Sequence, residues 1–308
     1  MSDVNRKKYS WLIAGLLFSV LWASASTATK IGLTSAQPLV IALVRFALAS
    51  ALMLFISHII QGNRLPAGKD WKQLGIYGIL NISIYLGCYV IAMEQVTAGI
   101  GSLAVATNPV FISFLSVFLL KKPLTIQSVI ALLICSAGVL CAAWPLLTEA
   151  SVTIPGLLIL LLSMLSYSLA SIYFSSQRWG NLHLFTINGW QTLMGGLFLM
   201  PVTSFYYQGS ENQFDASFWG AVLWLAIPVS IVAVLLWLWL IRISTLRAGF
   251  WLFLCPVFGY AIAAILMDDR IDEFTLAGVL MVITGLVLSQ LNKSNINSDK
   301  RLHDKTSS

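Results

Sequence analysis

The sequence predicts an all-α integral membrane protein: ten transmembrane helices arranged as two inverted five-helix repeats. Three observations predict it. Only 10% of the 308 residues are charged and 58% are hydrophobic, whereas a soluble domain carries about 25% charge. That much apolar surface needs a bilayer as its solvent. The apolar residues gather into runs of about 20, the length that crosses a hydrocarbon core. The second half of the chain then repeats the first.

The runs, in order, are 9–29, 38–60, 71–93, 97–120, 124–144, 154–175, 182–206, 218–240, 245–267 and 274–291. Loops between them are short and polar. The chain divides into a cytoplasmic N-terminal segment (1–8), a first repeat (9–145), a second repeat (154–291) and a polar cytoplasmic tail (292–308). The first run follows Arg6-Lys7-Lys8 and ends near Ala23-Ser24-Ala25, a pattern shared with secretory signals. Its counterpart in the sixth run argues for a retained span. Leu16-Leu17-Phe18-Ser19 aligns with Leu160-Leu161-Leu162-Ser163, and Ser24 with Ser168, at an offset of 144 residues.

The fourth and fifth runs carry the clearest repeat. Pro109-Val110-Phe111 matches Pro256-Val257-Phe258, and Gly138 matches Gly285, both 147 residues apart. A repeat of five spans is odd, so the second copy enters the membrane from the opposite side. The hinge charges agree. Lys121-Lys122 of the first copy corresponds to Asp268-Asp269 of the second.

Orientation follows from the positive-inside bias. With both termini in the cytoplasm, all of the 18 Lys and Arg except Lys30, Arg45 and Arg270 fall in inner segments. The net charge of +6 therefore expresses topology, not a nucleic-acid footprint. The membrane expected is the cell inner (plasma) membrane.

Ten spans, two inverted halves and a proline-centred helix in each half resemble the EamA-type transporters of the drug/metabolite transporter superfamily. The resemblance is carried by Trp22, Arg45-Phe46, Tyr89 through Ala92 before Ala98, Gln191 with Gly195-Gly196, and the two Pro-Val-Phe sites. It implies export or exchange of small organic solutes such as amino acids through a central cavity, by alternating access. Such proteins carry an acid after the fourth and ninth helices. Asp269 fits, whereas Lys122 stands at the first position.

Polar groups inside a bilayer are costly and face the bundle interior. In the third run Asn81, Tyr85 and Tyr89 are spaced by four and share a face. Tyr77, one turn earlier, reads as an interface anchor. Trp22 in the first run and Tyr167 in the sixth lie near mid-span and can stack on a solute. Asn188 and Gln191 form an amide pair in the seventh run, and Trp237 lies in the eighth. These eight residues, Tyr77 aside, are the substrate-binding candidates; interhelical hydrogen bonding is the alternative role of the polar ones. Pro109 and Pro256 are expected mid-span, kinking their helices as gates or hinges, with Asn108 satisfying a freed carbonyl. Arg45 lies about 10 Å into its helix. It can snorkel outward, pair with Glu94, or attract an anionic group on a solute; a structural or gating ion pair is expected ahead of direct binding.

Other classes have little support. The four cysteines, Cys88, Cys135, Cys141 and Cys255, lie singly in apolar runs, so no metal or cofactor is implied. No HExxH or GxSxG motif appears and the three histidines are scattered, which argues against an enzyme. A channel would need charged or carbonyl rings. No acidic residue lies deep in a run, which points away from proton or sodium coupling. The partners expected are a small-molecule substrate and the lipid bilayer, with no nucleic acid, in a monomer or homodimer.

Overall fold

The computed structural model describes residues 3–119, 126–148, 151–243 and 250–288. Helix α1 is Asp3–Leu33. Helix α2 is Pro38–Leu54, running into a π-turn at Phe55–Ile60. Helix α3 joins Lys69–Gly78, a π segment Ile79–Leu86, and Gly87–Ala92. Helix α4 is broken into Ala98–Ala106 and Asn108–Leu119. Helices α5, α6 and α7 are Ile126–Thr148, Ile154–Ser176 and Leu184–Tyr206. Helix α8 joins Ala216–Trp224, a π segment Leu225–Ala233, and Val234–Ile243. Helix α9 is a 3₁₀ turn Phe250–Phe253 followed by Leu254–Met267, and α10 is Glu273–Leu288.

Seven of these helices are long and apolar enough to cross a membrane: α1 to α6 and α8. This count covers the described residues only, and α9 and α10 adjoin stretches outside them. The α-helical part of α9, Leu254–Met267, has 14 residues, and α10 is also short among the described residues. Helix α7 has 23 residues but carries Asn188, Gln191, Gly195 and Gly196, which dilute its apolar character. The Lys121-Lys122-Pro123 hinge and the Arg247 loop lie outside the described residues.

Local chemistry sets the helix starts. The Thr97, Thr153, Asp215 and Asp272 side chains accept from backbone N–H groups of the first turns of α4, α6, α8 and α10, donors that a helix cannot satisfy itself. All four caps lie at the same end of the bundle. Pro38 and Pro155 occupy first-turn positions, where the missing N–H costs nothing.

The two halves pair as a two-fold repeat. Helix α1 packs on α8 and α9, as α6 packs on α3 and α4. Equivalent helices meet each other running antiparallel. In α2 and α7, Ser57 bonds Thr186 at 2.7 Å while Gln37 reaches the Tyr206 carbonyl at 3.0 Å. In α5 and α10, Gln127 reaches the Leu288 carbonyl and Cys141 the Phe274 carbonyl. Between them Cys135 Sγ meets the carbonyl of Val282, 147 residues on. A residue touching its own repeat equivalent marks the pseudo-two-fold axis. Antiparallel pairing of equivalents is the geometry of an inverted repeat.

Small residues allow these contacts. A Cβ on Gly138 would stand 2.8 Å from the Gly278 carbonyl. One on Gly195 would stand 2.6 Å from that of Gly78.

Helix α4 breaks at Thr107, and α9 changes from 3₁₀ to α at Leu254, again 147 residues apart. The breaks lie two residues ahead of Pro109 and Pro256, in the turn whose hydrogen bonding a proline disrupts. Asn108 is buried, and its Oδ1 has no hydrogen-bond partner among the described residues.

Candidate functional site

A cavity of about 590 Å³ lies at the centre of the bundle. Every helix but α5 and α10 contributes to its wall among the described residues. The size suits a small organic molecule. It reaches toward the bundle end where α6 stops and α7 starts, at Ser175 and Leu184.

Helix α3 supplies one wall. Tyr85 and Tyr89 are buried there, and the rings of Tyr85 and Tyr167 are 4.8 Å apart. Asn81 Nδ2 donates to Gln191 Oε1 at 3.2 Å, and Gln191 Nε2 donates to Asn188 Oδ1 at 3.2 Å. The three amides thus form a chain from α3 to α7 along the wall. Opposite them, Trp22 and Trp237 flank Phe18, whose ring stacks on Trp237 at 4.9 Å. All eight sequence-selected side chains line this one cavity. The amides take both roles considered for them, bonding between helices and facing the cavity.

Two π segments shape the wall at symmetry-related places: Ile79–Leu86 in α3 and Leu225–Ala233 in α8. A π-turn leaves carbonyls without their usual helical donors and often marks a functional site. Side-chain hydroxyls also donate to carbonyls of these segments. Ser166 of α6 donates to the Leu80 carbonyl at 2.7 Å, and Ser230 to that of Leu225 at 2.9 Å. Ser83 donates across to the Gly195 carbonyl at 2.7 Å. Ser83 and Ser230 are 147 residues apart, so the repeat offset was the available signal for Ser230.

Arg45 is 5% exposed and lines the cavity. Its Nε and Nη2 both donate to Ser230 Oγ, each at 3.1 Å. The expected ion pair with Glu94 is not formed. Among the described residues the one ion pair is Arg64 with Asp70 at 3.2 Å. Tyr77, read as an interface anchor, instead lines the cavity and lies against Phe174. Pro256 and Asn108 are not among the described wall residues, and the Pro109 side chain lies outside the described ones. No three His, Cys, Asp or Glu side chains gather to hold a metal ion among the described residues.

The end of the bundle away from Ser175 and Leu184 is tied by loop contacts. Ser35 Oγ donates to Asp215 at 3.1 Å, and the Gln37 N–H to Asn212 Oδ1 at 2.9 Å. The Gly99 N–H donates to Asp269 at 3.0 Å, joining the start of α4 to the end of α9. Hydrogen bonds from Phe218 and Ser35 hold the Asp215 carboxyl below its usual range. Partial burial and nearby Glu211 raise that of Glu94, against the pull of Lys30.

An apolar helical bundle with a closed-ended central cavity is the form of a multi-pass membrane transporter. The sequence matches the model of the EamA-like transporter family over residues 9–144 and again over 154–291, and the chain belongs to that family. It is 25% identical to Protein PecM of Dickeya dadantii, over 88% of this chain and 89% of that one. An uncharacterized transporter of Archaeoglobus fulgidus is 23% identical over 89% of this chain and 94% of its own length. A solved crystal structure at 18% identity shares the fold, with a TM-score of 0.64 over 94% of this chain and 99% of that chain.

Proposed function

We propose that the protein is a secondary transporter of the cell inner membrane that exports or exchanges small organic metabolites by alternating access. All ten helices cross or line the membrane in this reading, and both termini are cytoplasmic. The observation that carries it is the convergence of side chains from both repeats on one central cavity, near the pseudo-two-fold axis. A carrier built from inverted repeats places its site there, and exchanging the conformations of the halves moves the opening from one face to the other. The cavity extends toward the bundle end of Ser175 and Leu184, and loops tie the opposite end. With the termini inside, this is the inward-facing state. Family membership supports transport over catalysis.

The test is counterflow in proteoliposomes with a panel of labelled amino acids, nucleosides and organic acids and amines. Wild type runs beside Tyr85→Ala and Trp237→Ala. Saturable uptake that both variants lose is the expected result. Uptake that survives both changes discards this cavity as the binding site.

A further inference from the structure

Among the described residues the cavity wall holds one charged side chain: Arg45 alone carries a full charge near neutral pH, and no described Asp, Glu, Lys or His stands on the wall. Arg45 is buried, and a neutral hydroxyl, Ser230, receives both of its described hydrogen bonds. A guanidinium away from water without a counter-ion is a costly arrangement. It also presents five donors in a planar fork, a shape that matches a carboxylate. The Ser230 hydroxyl fixes the fork's orientation by holding the Nε and Nη2 edge. Ser230 is itself held at the Leu225 carbonyl of the α8 π segment. The rest of the described wall is aromatic, aliphatic or neutral polar, its polar groups being amides, hydroxyls and the Cys255 thiol.

Building on the transporter reading, we propose that this site selects monoanionic solutes: one carboxylate at Arg45, carried on an aromatic or apolar body that packs between Tyr85, Tyr167, Trp22 and Trp237. Binding then neutralises the buried charge, and the loaded cavity crosses the membrane as a neutral unit. An amino acid pays more. Its ammonium would enter a cavity whose described wall holds no carboxylate to receive it. A simple organic cation meets like charge at Arg45.

Three labelled probes share a phenol ring and differ in charge near neutral pH: 4-hydroxyphenylacetate (anion), tyrosine (zwitterion) and tyramine (cation). Counterflow of each is measured in proteoliposomes of the full chain, with protein-free vesicles for leak. Binding of each to the detergent-solubilised protein is measured by titration calorimetry. The expected result is binding and exchange of 4-hydroxyphenylacetate at least about ten-fold better than of the other two, the factor that one charge-assisted hydrogen bond commands. Arg45→Gln abolishes that preference. Arg45→Lys keeps the charge without the fork, so it keeps the preference with weaker binding. Ser230→Ala also weakens anion binding while leaving the charge in place. If Arg45→Gln fails to fold, the Lys and Ala variants carry the test.

Tyrosine or tyramine handled as well as the anion overturns the proposal. So does anion binding that none of the three variants weakens, or no anion binding at all. Exchange of tyramine in place of the anion overturns this inference and leaves the transporter reading standing. Tight anion binding without exchange does the reverse.

Discussion

A hydroxyl or amide buried in an apolar bundle must find its partner inside the bundle. Most serines and threonines here solve this locally. Ser168 donates to Met164 and Thr203 to Leu199, each on its own helix. Those carbonyls already have helical donors, so Ser168→Ala is expected to change stability by no more than about 0.5 kcal/mol. Ser166 differs, because it donates to the Leu80 carbonyl in the α3 π segment. Ser166→Ala removes this hydrogen bond between helices and is expected to cost about 0.5–1.5 kcal/mol. Thermal unfolding of both variants in one detergent distinguishes them. Asp215 offers a pH-dependent case. Its folded pKa lies below the ordinary 3.8, so its contribution is complete above that value and lost as pH falls through the lower one. The stability difference between wild type and Asp215→Asn should hold from about pH 7 to about pH 5 and close toward about pH 3.

At the scale of the helix, the π segments and the glycine contacts do different work. The π segments turn Asn81, Tyr85 and Ser230 toward the cavity, and hydroxyls donate to carbonyls of these segments. The glycines let backbones touch. A Cβ on Gly195 would meet Ile82 Cβ within the van der Waals radius and the Gly78 carbonyl at 2.6 Å. Gly195→Ala must push α3 from α7, and is expected to destabilise by about 1–3 kcal/mol. Because Asn81 and Gln191 bridge the same two helices, transport should fall with it. Gly220, in α8, has nothing within 4 Å of the same added atom. Gly220→Ala is expected to stabilise by up to about 1 kcal/mol. Melting temperatures and counterflow rates of the two alanine variants check both expectations. The α3 contacts were partly legible in the sequence: the four-residue spacing of Asn81, Tyr85 and Tyr89 placed them on a common face. The π segments were not, because one extra residue per turn leaves no mark in an apolar pattern.

For the molecule as a whole, the ties at one end of the bundle are the contacts that the proposed alternating access has to break. A short bifunctional thiol reagent joining Ser35→Cys to Asp215→Cys, in a chain otherwise free of cysteine, should stop counterflow and leave solute binding in detergent intact. Transport that continues through the cross-link would mean that this end need not open. Coupling is the second test at this scale. The cavity wall holds no carboxylate among the described residues, and the proposal is that transport runs on the solute gradient alone. Imposing a proton gradient without a solute gradient should drive no uptake of labelled substrate.

The sequence by itself determined the membrane class, the two-repeat organisation and the family. These depend on composition, run length and a constant offset, all linear properties of the chain. It also picked out the side chains of the cavity wall, because a polar or aromatic residue near mid-span has few tolerable places to face. Only the tertiary structure decided their partners. Arg45 meets Ser230 of α8 and not Glu94, although Glu94 is far nearer in the chain. The helix breaks lie at Thr107 and Leu254, ahead of the prolines that advertised them. Those outcomes depend on how helices from opposite halves meet across the pseudo-two-fold axis. The physical reason is that in a bilayer every helix is apolar, so hydrophobic pattern alone cannot say which face meets which neighbour. Close backbone contacts at glycine and a small number of hydrogen bonds choose among the packings.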